Sequence, residues 1–153
     1  MTLKKILKDE EDTFLLANEL VNILKNKIVF LNGDLGVGKT TFVKYYAKAI
    51  GFDDDITSPT FSIANNYSAI NNSIIHFDLY RINSEEELEM IGFYDMINNK
   101  NSTIFIEWAE KFNLQEYIND YIRVDIELID NDMRQFTLKE VSKWLKKSRQ
   151  KNC

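Results

Sequence analysis

The sequence of 153 residues predicts one α/β domain in three layers, whose mixed sheet is partly antiparallel. In the first half of the chain, apolar segments that suit buried strands alternate with helical patterns, which is typical of parallel strands. Shorter strand-like segments follow, and asparagine pairs between them mark turns. A glycine-rich loop lies between one buried strand and the next helix, and it marks a candidate site.

The helices are predicted from apolar spacing and from capping residues. A helix over residues 12–25 carries one apolar stripe, formed by Ala17, Leu20, Val21 and Leu24. A second helix is expected over residues 39–50, with Gly51 as its C-cap. Ser84 and Glu87 have the spacing of a capping box, which predicts a short helix that ends near residue 91.

Strands are expected at residues 28–31, 61–67, 73–78, 103–106, 121–129 and 136–138. The second and third should form a hairpin through the Asn71-Asn72 pair, and the last two should flank a turn at residues 130–132. A closing helix is expected over about residues 139–148, followed by a tail over residues 149–153. All of these elements belong to the single domain.

Charge and composition exclude several classes of protein. The formal net charge is −5 and the pI is near 5.0, whereas domains that grip nucleic acid directly are usually basic. The longest apolar runs span four residues, and a membrane-spanning helix needs about 20. No export signal is recognised, so the expected location is the cytoplasm. The single cysteine, Cys153, and the single histidine, His76, allow neither an intrachain disulfide nor a His-rich metal site.

The glycine-rich loop matches the phosphate-binding pattern G-x-x-x-x-G-K-[ST] at every fixed position. It reads Gly33, Asp34, Leu35, Gly36, Val37, Gly38, Lys39 and Thr40. Glycines let backbone N–H groups wrap closely around phosphate oxygens, and the start of the following helix favours an anion. Lys39, expected to be exposed, can reach the β- and γ-phosphates, and the Thr40 hydroxyl can bind Mg²⁺. The loop therefore predicts a site for magnesium and a nucleoside triphosphate.

Two carboxylates end apolar strands and are candidates for the second acid that such a site needs. They are Asp78, after the run that contains His76, and Glu107. If both strands end at the ligand-binding edge of the sheet, one acid could hold the metal and the other could position the attacking water. The residues alone do not assign the two roles.

Four segments, in order along the chain, resemble the TsaE family. They are residues 33–42 (GDLGVGKTTF), 58–61 (SPTF), 76–81 (HFDLYR) and 106–108 (IEW). TsaE proteins are bacterial ATPases needed to make threonylcarbamoyladenosine. The resemblance implies a P-loop NTPase-like fold and an ATPase that acts with TsaD and TsaB on adenosine 37 of tRNAs reading codons that begin with adenine. Contact with tRNA would be indirect, through these partners.

The resemblance also implies site residues. Thr40 and Glu107 would ligate Mg²⁺, and Asp78, with Lys39, would be catalytic. The segment from Glu10 to Thr13 would lie beside the adenine of ATP. Arg134 would face the nucleotide, and Thr41 would complete the loop residues that contact it.

Thr60 and Arg81 each have two interpretations, and His76 and Trp108 each have one expected role. Thr60, beside Pro59, could sense the γ-phosphate or belong to a simple turn. Arg81 could stabilise charge in the transition state or pair with an acid such as Asp78. His76 is expected to be a structural hydrogen-bonding group, and Trp108 is expected to pack rather than to stack on a nucleotide.

Other nucleotide-binding classes fit less well. A small-molecule kinase usually clamps phosphates with several arginines, whereas here Arg81, Arg123, Arg134 and Arg149 are scattered. A GTPase would need a guanine-reading aspartate, and residues 98–101 (NNKN) lack one. A regulatory module that binds nucleotide without turnover stays open, because a phosphate-release assay is needed to distinguish it from an ATPase.

Overall fold

The computed structural model describes residues 1–52, 56 and 62–143. In chain order the elements are β1 (Thr2–Leu7), α1 (Glu10–Leu24), β2 (Ile28–Asn32), α2 (Lys39–Ala49), β3 (Ala64–Ala69), β4 (Asn72–Asp78), α3 (Glu85–Met90), α4 (Phe93–Met96), β5 (Thr103–Glu107), two short 3₁₀ helices (Ala109–Phe112 and Leu114–Glu116), β6 (Asp120–Leu128) and β7 (Arg134–Ser142). Every helix in these ranges is too short or too polar to cross a bilayer.

The strands form one mixed sheet of seven strands in the order β1-β7-β6-β2-β5-β4-β3. The four central strands, β6, β2, β5 and β4, run parallel to one another, and β3 on one side and β7 and β1 on the other add antiparallel edges. Central parallel strands are covered on both faces and are rich in apolar residues. The predicted mixed sheet is confirmed, and so is the hairpin of β3 and β4.

Helices cover both faces of the sheet and give three layers. On one face, α1 and α2 pack against alternate residues of the central strands, with Leu20, Phe42 and Phe105 in the same buried cluster. On the other face, α3, α4 and the 3₁₀ helices enclose a second cluster that includes Phe77 and Phe93. Because side chains alternate along a strand, neighbouring residues of β4 serve different cores.

The caps of two helices follow from their sequences. α1 begins two residues earlier than predicted because the Asp9 side chain accepts a hydrogen bond of 2.9 Å from the Asp12 N–H. The predicted N-cap of α3 is confirmed, since Ser84 Oγ accepts from the Glu87 N–H at 3.3 Å. The Glu87 carboxylate in turn accepts from the Asn83 N–H at 3.2 Å, one residue before the usual capping-box donor.

The start of the closing helix was predicted wrongly. Residues 139–142 continue β7, which pairs with β6 on one side and with β1 on the other. Lys139, for example, lies opposite Thr2 in β1 and opposite Arg123 in β6. β1 was not predicted, so its pairing with Lys139 was not foreseen, and the predicted pair of strands extends past residue 138 because residues 139–142 stay in register with β6. Residues 144–148, the tail and residues 57–61 with Pro59 and Thr60 lie outside the described residues.

Candidate functional site

The glycine-rich loop joins the end of β2 to the start of α2, at the carboxyl edge of the parallel strands. Gly33, Gly36 and Gly38 have φ values of 147°, 77° and 115°, which L side chains rarely adopt. At Gly33 a Cβ atom would also lie 2.5 Å from the Ile126 carbonyl oxygen of β6. Gly38 caps α2 without a side-chain hydrogen bond, so no capping side chain covers the positive end of this helix.

Lys39 lies folded against the loop rather than exposed, which corrects the sequence expectation. Only 5% of the residue is exposed. Nζ donates hydrogen bonds to the carbonyl oxygens of Gly33 and Asp34. The ammonium group also lies 4.3 Å from the centre of the Trp108 ring. Carbonyl oxygens and an aromatic face both attract a cation, which explains why Lys39 is buried.

A three-residue network lies next to the loop. Thr40, in the first turn of α2, donates a hydrogen bond of 2.8 Å to Glu107 Oε1 at the end of β5. His76 Nε2, in β4, lies 2.8 Å from the same oxygen. Both Glu107 and His76 are buried. A hydroxyl, a carboxylate and an imidazole from three separate elements therefore converge at one point.

Asp78 ends β4 and is the register partner of Glu107 in the neighbouring parallel strand. Burial raises the pKa of its carboxyl group above the ordinary value. The hydrogen bond that Asp78 Oδ1 accepts from the Tyr80 N–H at 3.1 Å opposes this shift. The negative charge of Glu107 also raises the pKa, whereas His76 and Lys39 lower it. The two acids thus lie side by side in different electrostatic environments.

These acids open onto a cavity of about 190 Å³ beside the loop. Lys39, Thr40, Asp78 and Glu107 line it, together with the rings of Tyr80 and Trp108. The two rings contact each other, with centres 5.1 Å apart. The predicted catalytic and metal-binding residues are therefore brought together on one side of the loop.

The residues expected near the base and the rest of the nucleotide line a second cavity, which shares Gly36, Gly38 and Thr41 with the first. Glu10, Thr13, Thr41 and Arg134 line a smaller cavity of about 110 Å³ with Gly38 and neighbouring loop residues. Arg134 Nε donates a hydrogen bond of 2.6 Å to the Val37 carbonyl oxygen, which ties β7 to the loop. Arg134 also borders a third cavity, of about 730 Å³, which Asp34 and Leu35 help to line.

Side-chain contacts fix two residues of the smaller cavity. Glu10 Oε2 accepts a hydrogen bond of 2.5 Å from the hydroxyl of Tyr45 in α2. The Thr13 hydroxyl donates to the Asp9 carbonyl oxygen at 3.3 Å. Tyr45 was not singled out in the sequence, because nothing local to residue 45 shows that α1 packs against α2 at this point.

Two aromatic residues line the cavity that Asp78 and Glu107 border. Tyr80 lies in the family segment at residues 76–81 and has no predicted role, and Trp108 is predicted to pack. The Trp108 ring contacts the Lys39 ammonium group, so it packs against a site residue. Arg81 is exposed, and its two interpretations stay predictions.

The donor set at Thr40 and Glu107 suits a hard cation. Mg²⁺ prefers oxygen ligands and usually keeps waters and substrate phosphates in its shell. Within residues 1–52, 56 and 62–143, no three His, Cys, Asp or Glu side chains form a metal centre by themselves. A hydroxyl and a carboxylate could therefore hold Mg²⁺ if a bound molecule supplied further oxygens.

Comparison with known proteins places this chain in a family. Residues 7–136 match the family model "Threonylcarbamoyl adenosine biosynthesis protein TsaE". The chain belongs to the TsaE family. This match confirms the resemblance of the four segments. It also confirms the link to the biosynthesis of threonylcarbamoyladenosine in tRNA, which the family's name states.

Individual relatives agree with the family model. A TsaE protein of Rickettsia conorii is 42% identical over 133 residues, which cover 84% of this chain and 73% of that protein. A TsaE protein of Aquifex aeolicus is 36% identical over 132 residues, with coverage of 84% and 90%. The crystal structure of Bacillus subtilis YdiB superposes with a TM-score of 0.72 at 25% identity, and the match covers 99% of this chain and 93% of that one. The P-loop NTPase-like fold of this TsaE-family chain is confirmed.

Proposed function

We propose that this TsaE-family chain binds Mg–ATP at the glycine-rich loop and hydrolyses it during threonylcarbamoyladenosine formation on tRNA, in a complex with TsaD and TsaB. The observation that carries the proposal is the hydrogen bond from Thr40 to Glu107, with Asp78 as the register partner of Glu107. This arrangement puts a hydroxyl, two acids and Lys39 around one cavity beside the loop.

The loop supplies the binding groups. Its three glycines with positive φ let the backbone follow a curved ligand, and the open start of α2 favours a phosphate. Lys39 would exchange the carbonyl oxygens of Gly33 and Asp34 for phosphate oxygens. That exchange keeps the ammonium group hydrogen-bonded in both states, which limits the cost of burying it.

Thr40 and Glu107 would hold the metal. With a divalent cation bound there, these two residues would place positive charge beside the phosphates, against the negative charge that develops on them during the reaction. Asp78 would accept the proton of the water that attacks the γ-phosphorus, so that the bond from phosphorus to the bridging oxygen breaks and ADP leaves. Because burial raises its pKa, Asp78 is a stronger proton acceptor than a fully solvated aspartate.

The base would lie near Glu10 and Thr13, which line the smaller cavity. Selectivity for adenine is expected, because residues 98–101 lack the aspartate that pairs with guanine. The net charge of −5 agrees with leaving tRNA contact to the partners.

The test is reconstitution of tRNA threonylcarbamoylation from purified TsaD, TsaB and this chain, supplied with tRNA and an activated threonylcarbamoyl donor, with ATP consumption measured in the same reaction. Wild type should support product formation, and Asp78→Asn should lose it while still binding labelled ATP. ATP should displace the label better than GTP does. Lys48→Met, at the exposed end of α2, is the matched control and should behave as wild type. Product formation without this chain, or equal displacement by GTP, would contradict the proposal.

A further inference from the structure

Glu107 Oε1 lies within hydrogen-bonding distance of two side chains. Thr40 Oγ1 and His76 Nε2 each lie 2.8 Å from it, and Thr40 comes from the helix that follows the loop. His76 is fully buried, with a relative exposure of 0%. The carboxylate is thus fixed from the α2 side and from within the sheet.

We infer that His76 is a positioning residue that holds Glu107 in the orientation needed to bind a divalent cation with the nucleotide. The inference rests on the proposed function, because it assigns His76 a role toward the metal that Glu107 would hold. A glutamate side chain has several rotatable bonds, and ordering it on binding costs conformational entropy. Two hydrogen bonds to Oε1 order the side chain beforehand, so a cation meets a carboxylate that is already in place.

The tautomer of His76 follows from its surroundings. A carboxylate oxygen can only accept, so the ring nitrogen facing it must carry a hydrogen. His76 Nδ1 is buried and has no hydrogen-bond partner among the described residues. A proton on Nδ1 would be a buried, unsatisfied donor, whereas a proton on Nε2 is bonded. The ring therefore carries its hydrogen on Nε2 and donates it to Glu107.

A purely structural role would be to join β4 to β5. These strands are already paired through their backbones over five register pairs, from Ile74 with Thr103 to Asp78 with Glu107. The register partner of His76 itself is Phe105, so its side chain reaches diagonally toward the site. A bond that merely held the strands would affect stability and leave the magnesium dependence of nucleotide binding unchanged.

The experiment compares His76→Gln with His76→Leu in a titration with fluorescently labelled ATP. A glutamine amide nitrogen occupies about the same distance along the side chain as His Nε2, so this variant keeps a donor for Glu107. Leucine fills similar space without a donor. Each variant is titrated in excess Mg²⁺ and in EDTA, and thermal melting checks the fold. Ser73→Ala is the matched control, because it removes the hydrogen bond with Ser102 at the opposite end of β4.

The expected result is a loss of about 10- to 100-fold in the Mg²⁺ enhancement of nucleotide affinity for His76→Leu, as for other partners of metal ligands. Affinity in EDTA should stay unchanged, and both His76→Gln and Ser73→Ala should keep the enhancement. If His76→Leu does not fold, His76→Asn replaces it, because its shorter amide cannot reach Glu107. An unchanged enhancement in the donor-free variant would overturn the inference while leaving the proposed function intact. Wild-type protein that shows no Mg²⁺ enhancement would overturn both.

A second readout uses the fact that the chain has a single histidine. In tag-free, ¹⁵N-labelled protein, two-dimensional ¹H–¹⁵N correlation of the one imidazole ring reports which nitrogen carries the proton. A proton on Nε2 that exchanges slowly with water is expected. A ring that carries its proton on Nδ1 alone would overturn the inference, because Nε2 could not then donate to Glu107.

Discussion

Asp78 and Glu107 are register partners at the ends of two parallel strands, yet they differ in their contacts. Glu107 is buried and accepts the Thr40 hydrogen bond, whereas the Asp78 side chain accepts from the Tyr80 backbone N–H. Burial raises the pKa of Asp78, and the charge of Glu107 adds to the shift. One acid is thus bonded to a potential metal ligand, whereas its neighbour is bonded to the backbone. This difference supports separate roles for two acids that sequence reasoning alone could not distinguish.

Asp78→Asn is expected to stabilise the protein at neutral pH. Because the folded pKa of Asp78 is raised, its stabilising contribution is complete below the pKa of the unfolded chain, about 3.9. That contribution is lost as the pH rises through the folded pKa. The asparagine variant has no charge to bury and still accepts the Tyr80 hydrogen bond. Urea unfolding should therefore show an advantage for Asp78→Asn at about pH 7 that shrinks toward about pH 4.

The control for this measurement is Asp95→Asn, which neutralises an exposed carboxylate in α4. It should show no comparable advantage at neutral pH. An Asp78→Asn variant that is less stable than wild type at every pH would contradict the assignment of the raised pKa to burial of the charge.

Glu107→Gln is expected to weaken Mg²⁺ dependence more than Asp78→Asn does. Both changes nearly preserve volume and remove one charge, so they compare the two acids directly. Loss of a metal-binding carboxylate should raise the Mg²⁺ concentration for half-maximal nucleotide binding by at least about 10-fold, the low end for changes next to a metal. A magnesium titration at fixed labelled ATP measures this, and the reverse order of the two variants would exchange their roles.

Lys39→Met should lose triphosphate affinity while the fold survives. Methionine keeps an apolar stem against Trp108 and removes the ammonium group. A charge-assisted hydrogen bond contributes about 1.5–3 kcal/mol, which corresponds to roughly 10- to 100-fold in affinity. Isothermal titration with a non-hydrolysable ATP analogue measures the loss, and circular dichroism measures the fold. Lys48→Met is the control on the same helix, and equal affinities for the two variants would remove Lys39 from the site.

Gly33→Ala should destabilise the protein more than Gly36→Ala. Both glycines have positive φ, and adopting a left-handed region costs an ordinary residue about 1 kcal/mol. A Cβ at Gly33 would also lie 2.5 Å from the Ile126 carbonyl oxygen, whereas nothing lies within 4 Å at Gly36. Since about 1 kcal/mol shifts the melting temperature of a domain this size by roughly 2–4 °C, Gly36→Ala should lower it by a few degrees and Gly33→Ala by more. Equal shifts would mean that the loop moves away from β6.

The parts of this fold that were predicted correctly depend on short-range signals. The β2-loop-α2 unit follows from an apolar run, three glycines and a helical pattern within 22 residues of chain. Ser84 and Glu87 gave the start of α3 in the same local way. The ends of two apolar strands marked Asp78 and Glu107 as candidate acids, and the sheet register brings them together.

The parts that were missed depend on distant partners. β1 is stabilised by pairing with β7 across almost the whole chain, and residues 139–142 are stabilised mainly by pairing with β6. Neither segment has a clear strand pattern of its own. Lys39 is buried because Trp108 and the carbonyl oxygens of the loop receive its ammonium group, which spacing around residue 39 does not reveal. The contact of His76 with Glu107 likewise requires the register of β4 and β5.

The electrostatics of the cavity of about 190 Å³ beside Asp78 and Glu107 favour a gated ATPase. Among the described residues that line this cavity, Lys39 is the single cation. Phosphoryl transfer builds charge on the γ-phosphate, and a supplied arginine can be worth about 10³–10⁵ in rate. A site that lacks this second cation is expected to hydrolyse ATP slowly until assembly supplies one or reorients Asp78.

We therefore expect slow hydrolysis by the isolated chain and a large acceleration by its proposed partners, TsaB and TsaD. Steady-state phosphate release should be far below the typical enzyme median of about 10 s⁻¹ for the chain alone. If the complex supplies an arginine, adding both partners should raise it by about 10³-fold or more. Lys39→Met, assayed with the partners, gives the background, because any residual release must come from another chain. Turnover near the median without partners, and unchanged by them, would contradict gating and would mean that the lysine, the metal and Asp78 suffice to stabilise the transition state.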